Sequence, residues 1–162
     1  MSIVDLFNDY ESFIIMIHIT SAIIWIGASF IFVASIFPSL MQIPNDRMIT
    51  RTTIRILYRY LKITFGFSFL LVFSGIIIVI AKNLTTNGPL IETIIYTKGY
   101  IWIAMTSLYV YALVKIKSAR NICFHGDTLR AIASLKAVTN YVFTLNVLLG
   151  LIAIYFGIML RG

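Results

Sequence analysis

Four apolar runs separated by short polar connections decide what this chain can fold into: Phe13 to Phe37, Ile63 to Ala81, Gly99 to Val114 and Val138 to Leu160. A hydrocarbon core of about 30 Å is crossed by roughly 20 helical residues, and each run reaches or approaches that length. The third is the shortest and is expected to extend back through Tyr96 or forward through Lys115. Inside a bilayer no water bonds to exposed backbone groups, so a spanning segment is either a helix or a strand of a closed barrel. None of the runs alternates polar with apolar residues as barrel strands do. The expectation is an all-α polytopic membrane protein of one domain, residues 1–162. Its four transmembrane helices, at about 13–37, 63–81, 97–115 and 138–160, should pack as an antiparallel up-down-up-down bundle, because short connections favour antiparallel neighbours. Composition agrees, with 60% hydrophobic and only 12% charged residues.

The charges are few and unevenly placed. Arg47, Arg51, Arg55, Arg59 and Lys62 fill the first connection, and Lys115, Lys117, Arg120, Arg130 and Lys136 fill the third, whereas the second holds only Lys82 and Lys98. Basic connections stay on the cytoplasmic side, which puts both termini outside. The net charge of +7 is then mainly a topology signal, with anionic lipid as the natural contact and no case for nucleic acid. The arginines at 47, 51, 55 and 59 recur every four residues and form a drifting stripe on a cytoplasmic extension of the second helix. This stripe is either solvated among headgroups or a docking surface. Pro38 and Pro44 bracket the end of the first helix, and Asn45-Asp46 can cap the start of the extension. The flank of the first run is acidic (Asp5, Asp9, Glu11) and no short core with a cleavage site is present, so the run is expected to remain as a helix and not to act as a signal peptide. Cys123 is the single cysteine, which excludes an internal disulfide framework. NLTTNGP, from Asn83 to Pro89, reads as an outer loop, and its sequon at Asn83 lies close to the membrane.

In such a bundle the informative residues are those that cost free energy to bury. His18 stands roughly 8 Å inside Phe13 at 1.5 Å per residue, and the helical period puts Ser21, Ala22, Trp25, Ser29 and Phe32 on its face. A neutral imidazole there suits a metal or haem iron, a structural hydrogen bond, or proton transfer. On the third helix Lys98, Trp102, Met105, Tyr109 and Ala112 align. Lys98 either snorkels outward or turns toward His18, and Met105 is a candidate to face His18 across a cofactor. The fourth helix aligns Thr139, Asn146, Gly150, Ala153 and Gly157, a stripe that suits close helix packing or a flat ligand. Cys123 and His125 in the last connection do not make a zinc set. No hydrolase triad, phosphate loop or dinucleotide fingerprint is present.

The pattern resembles the copper-resistance-D-like superfamily of four-helix membrane proteins, which includes the HemJ-type protoporphyrinogen oxidases. The resemblance rests on HITSAIIWIGASFIFVASIFPSL, with His18, Trp25, Gly27 and Pro38, on YTKGYIW, with Lys98, and on LNVLLGLIAIYFG, with Asn146. It implies haem b or a porphyrin in the outer half of the bundle, with His18 as axial ligand to iron and Lys98 near a propionate or substrate, and it implies oligomers. Trp25, Met105 and Asn146 complete the cofactor-binding set. Two family features are missing: Tyr96 stands where a histidine often precedes the lysine, and the first helix lacks an aromatic-proline-arginine ending. These departures favour the wider superfamily over the oxidase. The expected function is a haem-b-binding redox membrane protein that exchanges electrons with a membrane carrier. Protoporphyrinogen IX oxidation is the enzymatic alternative. Copper handling is another, although the outward residues lack the Met- or His-rich array that copper capture needs. A non-catalytic subunit of a larger membrane complex is the alternative from a different class.

Overall fold

The computed structural model describes residues 3–86 and 88–160 and is built from helices, with no strand among the described residues. Four long helices are each apolar enough to cross a membrane: α1, Ile3–Leu40; α2, Asp46–Ala81; α3, Pro89–Phe124; and α4, Thr128–Met159. The chain is rich in isoleucine and valine, which in water favour strands. In hydrocarbon the need to satisfy every backbone N–H and C=O inside the segment outweighs that preference.

The helices overrun the expected spans. α2 and α3 have 36 residues each, about 54 Å at 1.5 Å per residue, against a core of about 30 Å. Hydropathy marks only the part of a helix that lies in hydrocarbon, and nothing stops these helices at that boundary. Asn45 starts α2 in an extended conformation (φ −111°, ψ 110°) and its Oδ1 accepts from Met48 N at 3.1 Å. Asp127 starts α4 in the same way, accepting from Arg130 N at 3.1 Å. Pro89 begins α3 after Gly88, whose φ of +117° is a conformation other residues rarely adopt. The sequon asparagine, Asn83, has φ +48° in the turn that leads to a short 3₁₀ segment, Leu84–Thr86.

Pro38 lies inside α1 and does not end it. Its ring has no N–H to give and crowds the carbonyl four residues earlier, and the helix absorbs this by widening into π geometry over Phe32–Ile36, with Phe37 N bonding Phe32 O. A second π segment, Val138–Phe143, interrupts α4. The two segments meet, with the Phe32 and Phe143 rings edge-on at 5.6 Å.

Register follows from a few cross-helix bonds. Ser29 meets Tyr60, and eleven residues earlier in α1 His18 meets Leu71, eleven later in α2, so α1 and α2 run antiparallel. Ser29 also meets Tyr109 at 3.0 Å, so α1 and α3 run parallel. The first and third connections therefore share one end of the bundle with ten basic residues, and the second connection shares the other end with the start of α1. The best-packed core lies toward the basic end, where Phe32, Leu57, Ala112, Ala119 and Phe143 are inaccessible.

Candidate functional site

His18 is half-buried, and its imidazole is held from α2 and not by the small residues of its own helix. Nδ1 lies 3.0 Å from the Leu71 carbonyl oxygen and 3.0 Å from Ser74 Oγ. A carbonyl can only accept, so Nδ1 carries the ring proton and donates it. Ser74 spends its own proton on the Leu70 carbonyl at 2.6 Å and is left as a second acceptor. Nε2 is then the unprotonated nitrogen, without a hydrogen-bond partner among the described residues. The ring rests on Gly75, where a Cβ would come within 3.1 Å of Cε1. The two acceptors, one carbonyl and one hydroxyl, both come from the same turn of α2.

Lys98 shares this level. From the Ser29–Tyr109 pair, a step back of eleven residues on each of the two parallel helices arrives at His18 and Lys98, and the ammonium lies within electrostatic reach of the imidazole. Lys98 turns inward and does not extend along the lipid: a Cβ on Gly157 of α4 would stand 3.3 Å from Nζ. No carboxylate lies within ion-pairing distance of it among the described residues. The cation nearest the same end, Lys82, is paired with Glu11 at 2.8 Å.

The other expected cofactor contacts form a second tier about 10 Å deeper, seven residues along the helices. Trp25 is 2% exposed, packs its ring against Tyr109 at 5.8 Å, and leaves Nε1 without a partner among the described residues. Met105 is equally buried, and its carbonyl accepts from Asn146 Nδ2 at 3.2 Å. Asn146 Oδ1 has no partner among the described residues. The structure therefore brings His18 to Lys98, and Trp25 to Met105 and Asn146, as two separate groups. Part of the small-residue stripe on α4 is spent on packing, because a Cβ on Gly150 would lie 2.7 Å from Ile26 Cγ1.

Between the tiers and the basic end lies a hydroxyl cluster whose Tyr60 the sequence reading did not single out. Ser29 Oγ lies 2.6 Å from the Tyr60 hydroxyl and 3.0 Å from that of Tyr109, and the tyrosine hydroxyls are 2.8 Å apart. Tyr60 directly follows Arg59 but lies about 100° around the helix from it, off the arginine stripe. The available signal was its spacing from Leu57 and Leu61, both wholly buried on the same face. Gly75 and Ser74 were the other missed residues, and a small Ser-Gly pair within a run of large apolar side chains marks them. Trp102, aligned with Lys98 in the sequence, bonds Ser68 Oγ at 3.0 Å.

Among the described residues no three His, Cys, Asp or Glu side chains converge. Cys123 is buried, while the His125 ring bonds its own helix at the Asn121 carbonyl, 2.8 Å away. Compared with known proteins, the chain matches no family model, no curated protein and no solved structure. The site is therefore read from its own chemistry.

Proposed function

We propose that the chain is an integral membrane haem-b-binding redox protein with His18 Nε2 as axial ligand. The observation that carries this reading is the Nδ1 anchor. A histidine that donates Nδ1–H to a carbonyl is fixed in the tautomer and orientation a ligand needs, and its free nitrogen gains basicity. The donor chemistry fits a tetrapyrrole: one unprotonated imidazole nitrogen in apolar surroundings, and one unneutralised ammonium at the same level suited to a propionate carboxylate. In the deeper tier Ile26 packs closely against Gly150, and Trp25, Met105 and Asn146, one tier below His18, would border the group from that side. A bound haem b supplies a one-electron iron couple. The chain's part is to hold the iron through His18, balance a carboxylate with Lys98, and keep water away with the Trp25 layer. By the asymmetry of basic residues, the His18 end faces away from the cytoplasm.

The adjacency of Lys98 to His18 also favours a second reading, the oxidation of protoporphyrinogen IX that the family resemblance implies. There Lys98 would hold a substrate carboxylate, His18 would accept a proton, and the electrons would pass to a membrane electron carrier.

Purified protein is expected to give a pyridine haemochrome of the b type and a Soret band that shifts on reduction. His18→Ala should abolish the band, and Lys98→Gln should weaken haem retention. A protein without haem, or a spectrum untouched by His18→Ala, overturns the first reading. Failure to restore growth to a protoporphyrinogen-oxidase-deficient strain overturns the second.

A further inference from the structure

At the opposite end of the bundle from His18, α3 and the start of α4 enclose an open groove of about 390 Å³, lined by Tyr111, Lys115, Arg130, Ser134, Val138 and Tyr141 among others. It combines three features that seldom coincide. First, it is cationic: neither Lys115 nor Arg130 has a carboxylate within ion-pairing distance among the described residues. The acid closest in sequence, Asp127, is occupied in capping the Arg130 backbone. Second, its rim is aromatic, with Tyr141 75% and Tyr111 49% exposed. Such rings belong at a membrane–water interface, apolar in body and polar at the tip. The Lys115 ammonium sits over the Tyr111 ring at 5.5 Å, which holds the cation at the mouth of the groove. Third, the floor is apolar. Ala133 and Ala137 line it and are exposed, with Val138 and Val142 buried beneath them.

We propose that this groove binds an anionic phospholipid from the leaflet at the basic end. Lys115 and Arg130 take the phosphate, the tyrosine hydroxyls lie at headgroup level, and one acyl chain descends along α4 past Ala137. Charge complementarity selects the occupant: this end of the molecule carries ten basic residues against two acidic ones, Asp46 and Asp127. An acidic protein segment would satisfy the cations but would make no use of a floor that leads into hydrocarbon.

The test is native mass spectrometry of the full-length protein in mild detergent, titrated with dioleoyl phosphatidylglycerol or dioleoyl phosphatidylcholine. One phosphatidylglycerol should be retained preferentially. Each cation near an anionic headgroup contributes enough that Lys115→Gln with Arg130→Gln should lower retention by roughly tenfold or more. Arg51→Gln with Arg55→Gln removes the same charge away from the groove and should leave retention within about twofold, because interactions between distant sites are weak. Three results would overturn the proposal: equal retention of the two lipids by the unaltered protein, an equal loss in the two double variants, or full competition by glycerol 3-phosphate, which has no acyl chain. Equal lipid retention together with binding of a polyglutamate peptide would assign the groove to an acidic protein partner instead. If the groove variant aggregates, the comparison of the two lipids on the unaltered protein still decides.

Discussion

The Ser29 hydroxyl donates to the Trp25 carbonyl at 2.9 Å while lying in reach of Tyr60 and Tyr109, which also touch each other. Three hydroxyl protons thus face four contacts. The Trp25 carbonyl can only accept, so Ser29 must give its proton there and receive from a tyrosine. This count predicts an asymmetry between variants. Tyr60→Phe leaves two protons for two contacts and should cost under about 1 kcal/mol. Ser29→Ala leaves the two tyrosines with only each other, one buried proton has no acceptor, and the cost should be about 1–3 kcal/mol. Unfolding of both variants in micelles by a denaturing detergent checks this, and equal losses would show that the proton count does not govern the cluster. Ser29 was visible in the sequence as a polar residue on the His18 face. Its tyrosine partners could not be assigned, because they come from two other helices.

Between elements, close packing depends on where glycines let another helix in. Gly27 and Gly150 look alike in sequence, but a Cβ on Gly27 meets nothing within 4 Å, whereas on Gly150 it meets three atoms of Ile26 at 2.7 to 3.1 Å. Isoleucine is branched at Cβ and stiff at χ1, so it cannot swing its whole side chain aside. Gly150→Ala should therefore force α1 and α4 apart and cost about 1–3 kcal/mol. Ile26→Ala in the same chain should recover most of that loss. Gly27→Ala should be neutral or slightly stabilising, since alanine is the better helix former. Thermal unfolding of the single and double variants measures both, and an uncompensated Gly150→Ala loss would mean the strain lies elsewhere. The α2 extension and its Asn45 cap were legible, because a capping residue acts within one turn. The π segments were not. Pro38 and Pro44 do bracket the end of α1, at Leu40, but no local signal in the sequence marks the widening of the turn before Pro38.

At the scale of the whole molecule, the uneven charge makes an orientation prediction. In a Cys123→Ser background, Thr85→Cys lies in the exposed turn between α2 and α3, and Phe124→Cys replaces an 88% exposed side chain at the basic end. The positive-inside rule predicts that a membrane-impermeant maleimide labels Thr85→Cys in intact cells, and Phe124→Cys only after permeabilisation. The reverse pattern would turn the bundle over and place His18 on the cytoplasmic side. Orientation also links the two sites. The His18–Lys98 pair and the Lys115–Arg130 groove lie at opposite ends of one bundle, so each faces a different leaflet.

The sequence by itself determined that the chain crosses a membrane with four antiparallel helices, and which of its ends is basic. The first rests on a large, local cost, an unsatisfied peptide group in hydrocarbon; the second follows directly from where the basic residues stand along the chain. Tertiary structure alone decided which side chains meet. In water an apolar face marks the core, but in lipid the outward face is apolar too, and periodicity loses its meaning. Phe73, 68% exposed, and Leu57, wholly buried, stand on the same helix with nothing in their chemistry to separate them. Helix rotation and register therefore set what composition could not: that His18 gives its Nδ1 proton to Leu71, that Lys98 shares its level, and that Met105 lies two turns below.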